Sequence, residues 1–92
     1  VDGADAVYTD VWVSMGEEGD ADAKKADFSP FTVTDEVMEA AGPDAIFMHC
    51  LPAHRGEEVA AEVADGSKSR IWPQAENRMH TARGLLSWLS EQ

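Results

Sequence analysis

Ninety-two residues with 18 Asp and Glu against 7 Lys and Arg carry a formal charge of −11, which excludes a surface built for nucleic acid or anionic membrane, since both need clustered positive charge. No run of about 18 apolar residues is present, so no membrane-spanning helix is expected. The single cysteine, Cys50, cannot form an internal disulfide, a pattern that fits a reducing cytoplasm.

The length corresponds to one small domain or a piece of one. The opening Val1-Asp2-Gly3-Ala4-Asp5 has neither Met nor a basic signal region, and is expected to be the interior of a longer protein. The charge is unevenly placed. Residues 1–44 hold twelve acids and two bases, Lys24 and Lys25, while residues 45–92 hold six acids against Arg55, Lys68, Arg70, Arg78 and Arg83. The first half reads as a solvated acidic coat, and the second as the half able to hold an anion.

Ala6-Val7-Tyr8-Thr9-Asp10-Val11-Trp12-Val13 is β-branched and aromatic, which predicts a strand with Thr9 and Asp10 where it emerges from the sheet. Ser14-Met15-Gly16 follows as a turn. Glu17 to Lys25 is polar, acidic and aperiodic, so a loop is expected there, with Phe28, Phe31 and Val33 anchoring its far end. Thr34 has the chemistry of an N-cap, and Asp35 and Glu36 stand in the first turn where the helix dipole favours acids. Val37, Met38 and Ala41 form the buried stripe of that helix, and Gly42-Pro43 ends it.

A second strand is expected over residues 45–49, where Ala45-Ile46-Phe47-Met48 stops at His49 and Cys50, and Pro52 forbids further ladder pairing. Strand, helix, strand is a crossover unit. It predicts parallel pairing, right-handed connection and an α/β class, here part of an open, Rossmann-like parallel-sheet domain. Ligands of such sheets sit beyond the carboxyl ends of the strands, so Asp10 and Cys50 are expected at one shared edge, with His49 and Cys50 facing the crevice. Glu57 to Ala64 suggests one or two helical turns closed by Asp65-Gly66, and Ser69 to Trp72 a short extended piece. Pro73 then opens the longest helix, about Gln74 to Ser90. Its apolar face of Ala75, Met79, Ala82, Leu86 and Leu89, flanked by Leu85 and Trp88, is wider than so small a chain covers, and is expected to pack on further polypeptide.

Three chemistries fit the polar residues. His49, Cys50, His54 and His80 are soft metal ligands, but paired zinc spacings are absent and adjacent residues rarely chelate one ion, so no metal is expected. A Cys50 nucleophile with His54 as base lacks the local signatures of cysteine hydrolases. The third is a polar pair, Asp10 and Cys50, facing a small substrate, with Arg78 one turn into the final helix forking onto a phosphate or a developing oxyanion. Arg70 and Arg83 read as solvated surface charges.

Three motifs stand in order: Asp10-Val11-Trp12-Val13-Ser14-Met15-Gly16; His49-Cys50-Leu51-Pro52 with Arg55-Gly56-Glu57-Glu58-Val59; and Gln74-Ala75-Glu76-Asn77-Arg78. Together they resemble the C-terminal part of ornithine carbamoyltransferases, from near residue 4 to near residue 90. The His-Cys-Leu-Pro run is shared with related carbamoyltransferases, and the Ser-Met-Gly loop is the feature that points to ornithine.

That resemblance implies transfer of a carbamoyl group from carbamoyl phosphate to the side-chain amine of L-ornithine, giving L-citrulline and phosphate, with no cofactor, in arginine metabolism. It implies that Asp10, Ser14 and Met15 bind ornithine, that Cys50, Leu51 and Arg78 contact carbamoyl phosphate, and that Asp10, Cys50 and Arg78 serve catalysis. On this reading residues 1–92 are the C-terminal portion of the ornithine-binding domain, with the closing helix from about residue 74. The family's Ser-Thr-Arg-Thr phosphate loop, its His-Pro-x-Gln segment and an upstream ornithine-binding asparagine are not among these residues, so the carbamoyl-phosphate domain is absent and the chain alone is expected to be inactive. The family's common state is a homotrimer that shares the phosphate loop between subunits. Two alternatives remain: a truncated relative that serves as a binding or interaction module through the apolar helix, and a sister carbamoyltransferase acting on a different amine.

Overall fold

A computed structural model describes residues 1–13 and 21–92. Strands β1 (Ala6–Thr9) and β2 (Ile46–His49) pair in parallel, with Ala6 opposite Ile46 and Thr9 opposite His49. Between them run α1 (Ala21–Phe28), a 3-10 turn (Ser29–Phe31) and α2 (Asp35–Ala41). After β2 come the short α3 (Ala61–Ala64) and the long α4 (Ile71–Ser90). The α/β class, the parallel pair and the long final helix are as the sequence predicts.

Local chemistry explains the central element boundaries. Thr34 Oγ1 accepts from the Val37 N–H, which caps α2, and Asp35 and Glu36 occupy its first turn. Gly42 ends α2 at φ 136°, a conformation open to glycine and costly for side-chain-bearing residues, while its N–H bonds the Met38 carbonyl. The core comprises Val7, Val33, Met38, Ala41, Ala45, Phe47, Val59, Val63, Ala64 and Ile71. Phe47 and Val59 are its fully buried centre.

Two short parallel bridges fasten the loops to this core. Val33 N donates to the Glu58 carbonyl and Ala60 N to the Val33 carbonyl, each at 2.9 Å. On the other side of β2, Phe47 N donates to Lys68 O and Arg70 N to Phe47 O, again at 2.9 Å. Val33 is thereby docked in the core as expected, whereas Phe28 and Phe31 are exposed, Phe28 lying against Trp12 with ring centroids 6.0 Å apart.

Several boundaries differ from expectation. The first strand stops at Thr9, not Val13, because β2 offers only four residues to pair with before the chain turns at Cys50. Residues 21–25, expected as loop, open helix α1, which lacks an apolar stripe and so left no periodic signal. Of the expected helical stretch Glu57 to Ala64, only α3 (Ala61–Ala64) is α-helical. The expected extended piece shrinks to the bridge at Ser69, because Ile71 and Trp72 already belong to α4. Pro73 therefore lies inside the first turn of α4, where its missing N–H leaves no helical bond unmade.

Of α4 only Ile71 is buried. Met79, Leu85, Leu86, Trp88 and Leu89 are 52–67% exposed, so the wide apolar face is not covered by the described residues of this chain.

Candidate active site

Parallel register decides which side chains meet. Thr9 stands opposite His49, so Asp10 and Cys50 leave the sheet side by side at its carboxyl edge. The Asp10 carboxylate and the Tyr8 side chain, on the same face, both act on the Cys50 thiol. Arg78 reaches the third side of this point, where its Nη1 donates to the Cys50 carbonyl at 3.2 Å. Asp10, Cys50 and Arg78 are thus brought together by three different elements.

The electrostatics follow from these contacts. Asp10 is held below the usual carboxylate range, first by the Val11 N–H on its Oδ1 at 2.6 Å and then by the Cys50 thiol. Burial pushes the Cys50 thiol up, and the Asp10 carboxylate beside it adds to the rise, with Tyr8 opposing. The site therefore pairs an ionised carboxylate with a thiol that keeps its proton, next to a guanidinium with donors to spare. An anionic or carbonyl-bearing substrate has a partner in Arg78, and a cationic amine has one in Asp10.

His49 does not face this crevice. Successive strand residues point to opposite faces, so with Cys50 at the edge His49 turns inward and is 1% exposed. Its Nδ1 accepts from the Leu51 N–H at 2.8 Å, which leaves Nε2 to donate to Glu58 Oε1, also at 2.8 Å. Glu58 is fully buried and its Oε1 takes the His54 N–H as well. Leu51 sits at φ 66° before a cis peptide to Pro52, and that left-handed conformation costs a non-glycine residue about 1–2 kcal/mol. The bond to His49 Nδ1 holds it there.

Arg78 lies two turns into α4 rather than one, since the helix starts at Ile71. The helix N-terminal amides are therefore too far along the axis to help, and Arg78 acts through its own side chain. Arg70 is exposed, as expected of a solvated surface charge, and its Nη1 donates to the Ser67 and Ser69 carbonyls. Ser14 and Met15 lie outside the described residues.

Glu58 and Gln74, whose Oε1 takes the His49 N–H at 2.9 Å, stand in the sequence motifs but have no role assigned from sequence. A Glu followed directly by Val59 near a strand-end histidine carries too little pattern to betray burial. Among the described residues, His54, Glu57 and Glu58 bring donor atoms within 4.8 Å of one another, but Glu57 pairs with Lys25 and Glu58 Oε1 holds His49 and His54. No hydrogen bond joins His54 to Cys50 among the described residues, so a histidine-activated thiol has no geometric support.

A parallel α/β unit with this edge matches a known class. Residues 1–89 match the family model described as aspartate/ornithine carbamoyltransferase, Asp/Orn binding domain, and the chain belongs to that family. It is 57% identical over 89 residues to an ornithine carbamoyltransferase of Pyrobaculum aerophilum, a match covering 97% of this chain and 29% of that one. A catabolic ornithine carbamoyltransferase of Halobacterium salinarum is 60% identical over 92 residues, all of this chain and 31% of its own. The solved ornithine carbamoyltransferase of Pyrococcus furiosus superposes with a TM-score of 0.86 at 50% identity, over 95% of this chain and 28% of that one. The chain therefore spans about 30% of the length of the relatives it matches. Among the described residues, no helix is long and apolar enough to cross a membrane.

Proposed function

We propose that these 92 residues supply the ornithine-side part of an ornithine carbamoyltransferase, which joins carbamoyl phosphate to the side-chain amine of L-ornithine to give L-citrulline and phosphate. The observation that carries this reading is the convergence of the Asp10 carboxylate, the Cys50 thiol and the Arg78 guanidinium at one sheet edge. The similarity to relatives of that name supports it.

The chemistry asks for these residue types. A lysine-like amine has a pKa near 10.4, so freeing its lone pair at pH 7 costs about 4.6 kcal/mol. Asp10 attracts and orients the ammonium, but alone it raises the amine's pKa, so its role is positioning. Cys50 stands next to it, close to the attacking nitrogen. Attack on the carbamoyl carbon builds negative charge on its oxygen, and the donors of Arg78 left over from the Cys50 carbonyl stabilise that oxyanion. The Cys50–Leu51 backbone contacts the carbamoyl group, while Ser14 and Met15 hold the amino-acid end of ornithine.

The phosphate-binding part of the site belongs to the rest of the full-length protein, so the 92-residue chain alone makes no citrulline. The full-length protein acts in arginine metabolism, as a cytoplasmic homo-oligomer of trimeric type. The lone thiol supports the cytoplasmic location.

The test is steady-state citrulline formation by the full-length protein. Arg78→Ala lowers kcat by roughly 10²–10³-fold, the usual loss for one oxyanion donor, and Cys50→Ala also causes a large fall. Substitution of Ser14 or Met15 raises KM for ornithine. A full-length protein that binds but does not transfer would favour the second reading, a non-catalytic interaction module docking through the exposed α4 face of Met79, Leu86 and Leu89. Unchanged ornithine affinity after loss of Ser14 or Met15 would favour transfer to a different amine.

A further inference from the structure

Two side chains of α4 grip consecutive residues at the end of β2. Gln74 Oε1 accepts from the His49 N–H at 2.9 Å, and Arg78 Nη1 donates to the Cys50 carbonyl at 3.2 Å. They stand four residues apart on the helix, hence on one face, and their two bonds bracket a single peptide unit. Ile71 is the only residue of α4 that is buried, and the helix beyond Arg78 exposes its large apolar side chains. The Arg70 N–H on the Phe47 carbonyl, at 2.9 Å, holds the start of α4 against β2, and one turn further on Gln74 ties the helix to the strand end.

The two grips are not equivalent. Gln74 is half-buried, with a shorter side chain and the shorter bond, whereas Arg78 is exposed and its flexible stem allows the guanidinium several positions. Gln74 can therefore hold the helix in register while Arg78 uses that register. A slip by one residue moves the guanidinium along the axis by about 1.5 Å.

We infer that Gln74 is a positioning residue for carbamoyl transfer, which sets the height of Arg78 against the Cys50 peptide by holding the His49 N–H. This rests on the proposed role of Arg78 in stabilising the oxyanion. Displacement of a catalytic group by about 1 Å costs up to roughly 10²-fold in rate, so loss of the Gln74 acceptor lowers kcat by about ten- to a hundred-fold.

The experiment compares the full-length wild type with Gln74→Met, Gln74→Glu, Arg78→Ala and the Gln74→Met/Arg78→Ala double variant, by steady-state citrulline formation. Methionine keeps the length and removes the acceptor, and glutamate keeps the acceptor. The expected result is a fall in kcat for Gln74→Met with KM for ornithine within about two-fold, recovery of most of that loss in Gln74→Glu, and no further loss in the double variant beyond Arg78→Ala. Equal factors for Gln74→Met with and without Arg78 would overturn the inference, as would a Gln74→Glu variant as slow as Gln74→Met or a Gln74→Met variant as fast as wild type. Failure of the functional reading looks different: the wild type itself makes no citrulline, and the inference falls with it.

Discussion

Replacing Glu58 probes the buried support beneath the candidate site. Its Oε1 takes two donors, the His49 Nε2–H and the His54 N–H, both at 2.8 Å, in a setting where His49 and Glu58 have no exposed side chain. Glu58→Ala strands both donors. Each unsatisfied buried donor costs about 1–3 kcal/mol, so the two together cost about 2–6 kcal/mol. Glu58→Gln keeps a carbonyl oxygen for both donors, and its cost is that of a buried amide N–H without an acceptor, about 1–3 kcal/mol. Glu58 Oε2 has no hydrogen-bond partner among the described residues, so an amide nitrogen placed there finds no acceptor among them. Urea unfolding of the full-length protein, followed by tryptophan fluorescence, reads the difference. At a slope of about 2 kcal/mol per molar, Glu58→Ala lowers the midpoint by roughly 1–3 M and Glu58→Gln by roughly half as much. Equal midpoints for the two variants would refute the claim that this carboxylate satisfies buried donors.

Two other perturbations test the edge and the core. Cys50 is raised by burial and then by Asp10, so its alkylation by iodoacetamide, mapped by mass spectrometry in the substrate-free protein, is slower at pH 8 than that of a free thiol. Its pH midpoint lies above the ordinary thiol value and moves down in Asp10→Asn, and an unmoved midpoint would contradict the influence of Asp10 on the thiol. The linkage signs follow: the raised Cys50 contributes stability below the ordinary thiol pKa that is lost as pH climbs through its folded value, whereas the depressed Asp10 contributes above the ordinary carboxylate pKa and is lost as pH falls through its folded value. Phe47→Ala empties the fully buried centre of the core and costs about 3–5 kcal/mol in urea unfolding; a loss under about 1 kcal/mol would show that the side chain is not enclosed.

The composition and pattern of residues 6–9 and 46–49, with a capped helix before the second strand, were enough to determine a parallel α/β unit. The crossover was then enough to bring Asp10 and Cys50 to one edge of the sheet, while the register that sets them side by side came from the structure. That succeeded because alternation in strands and the geometry of crossovers are local rules with few exceptions. Helix α1 escaped because a polar helix has no periodic signal, and α4 began earlier than Pro73 suggested because a proline is tolerated throughout the first turn.

The inward turn of His49, the burial of Glu58 and the grip of Gln74 on the His49 N–H were decided by tertiary structure alone. Each is a hydrogen bond between residues 9 to 25 positions apart, and no local pattern encodes which distant acceptor a buried donor will find. The sequence determined which chemical groups the sheet edge carries; three-dimensional packing determined which of them face substrate and which hold the others in place.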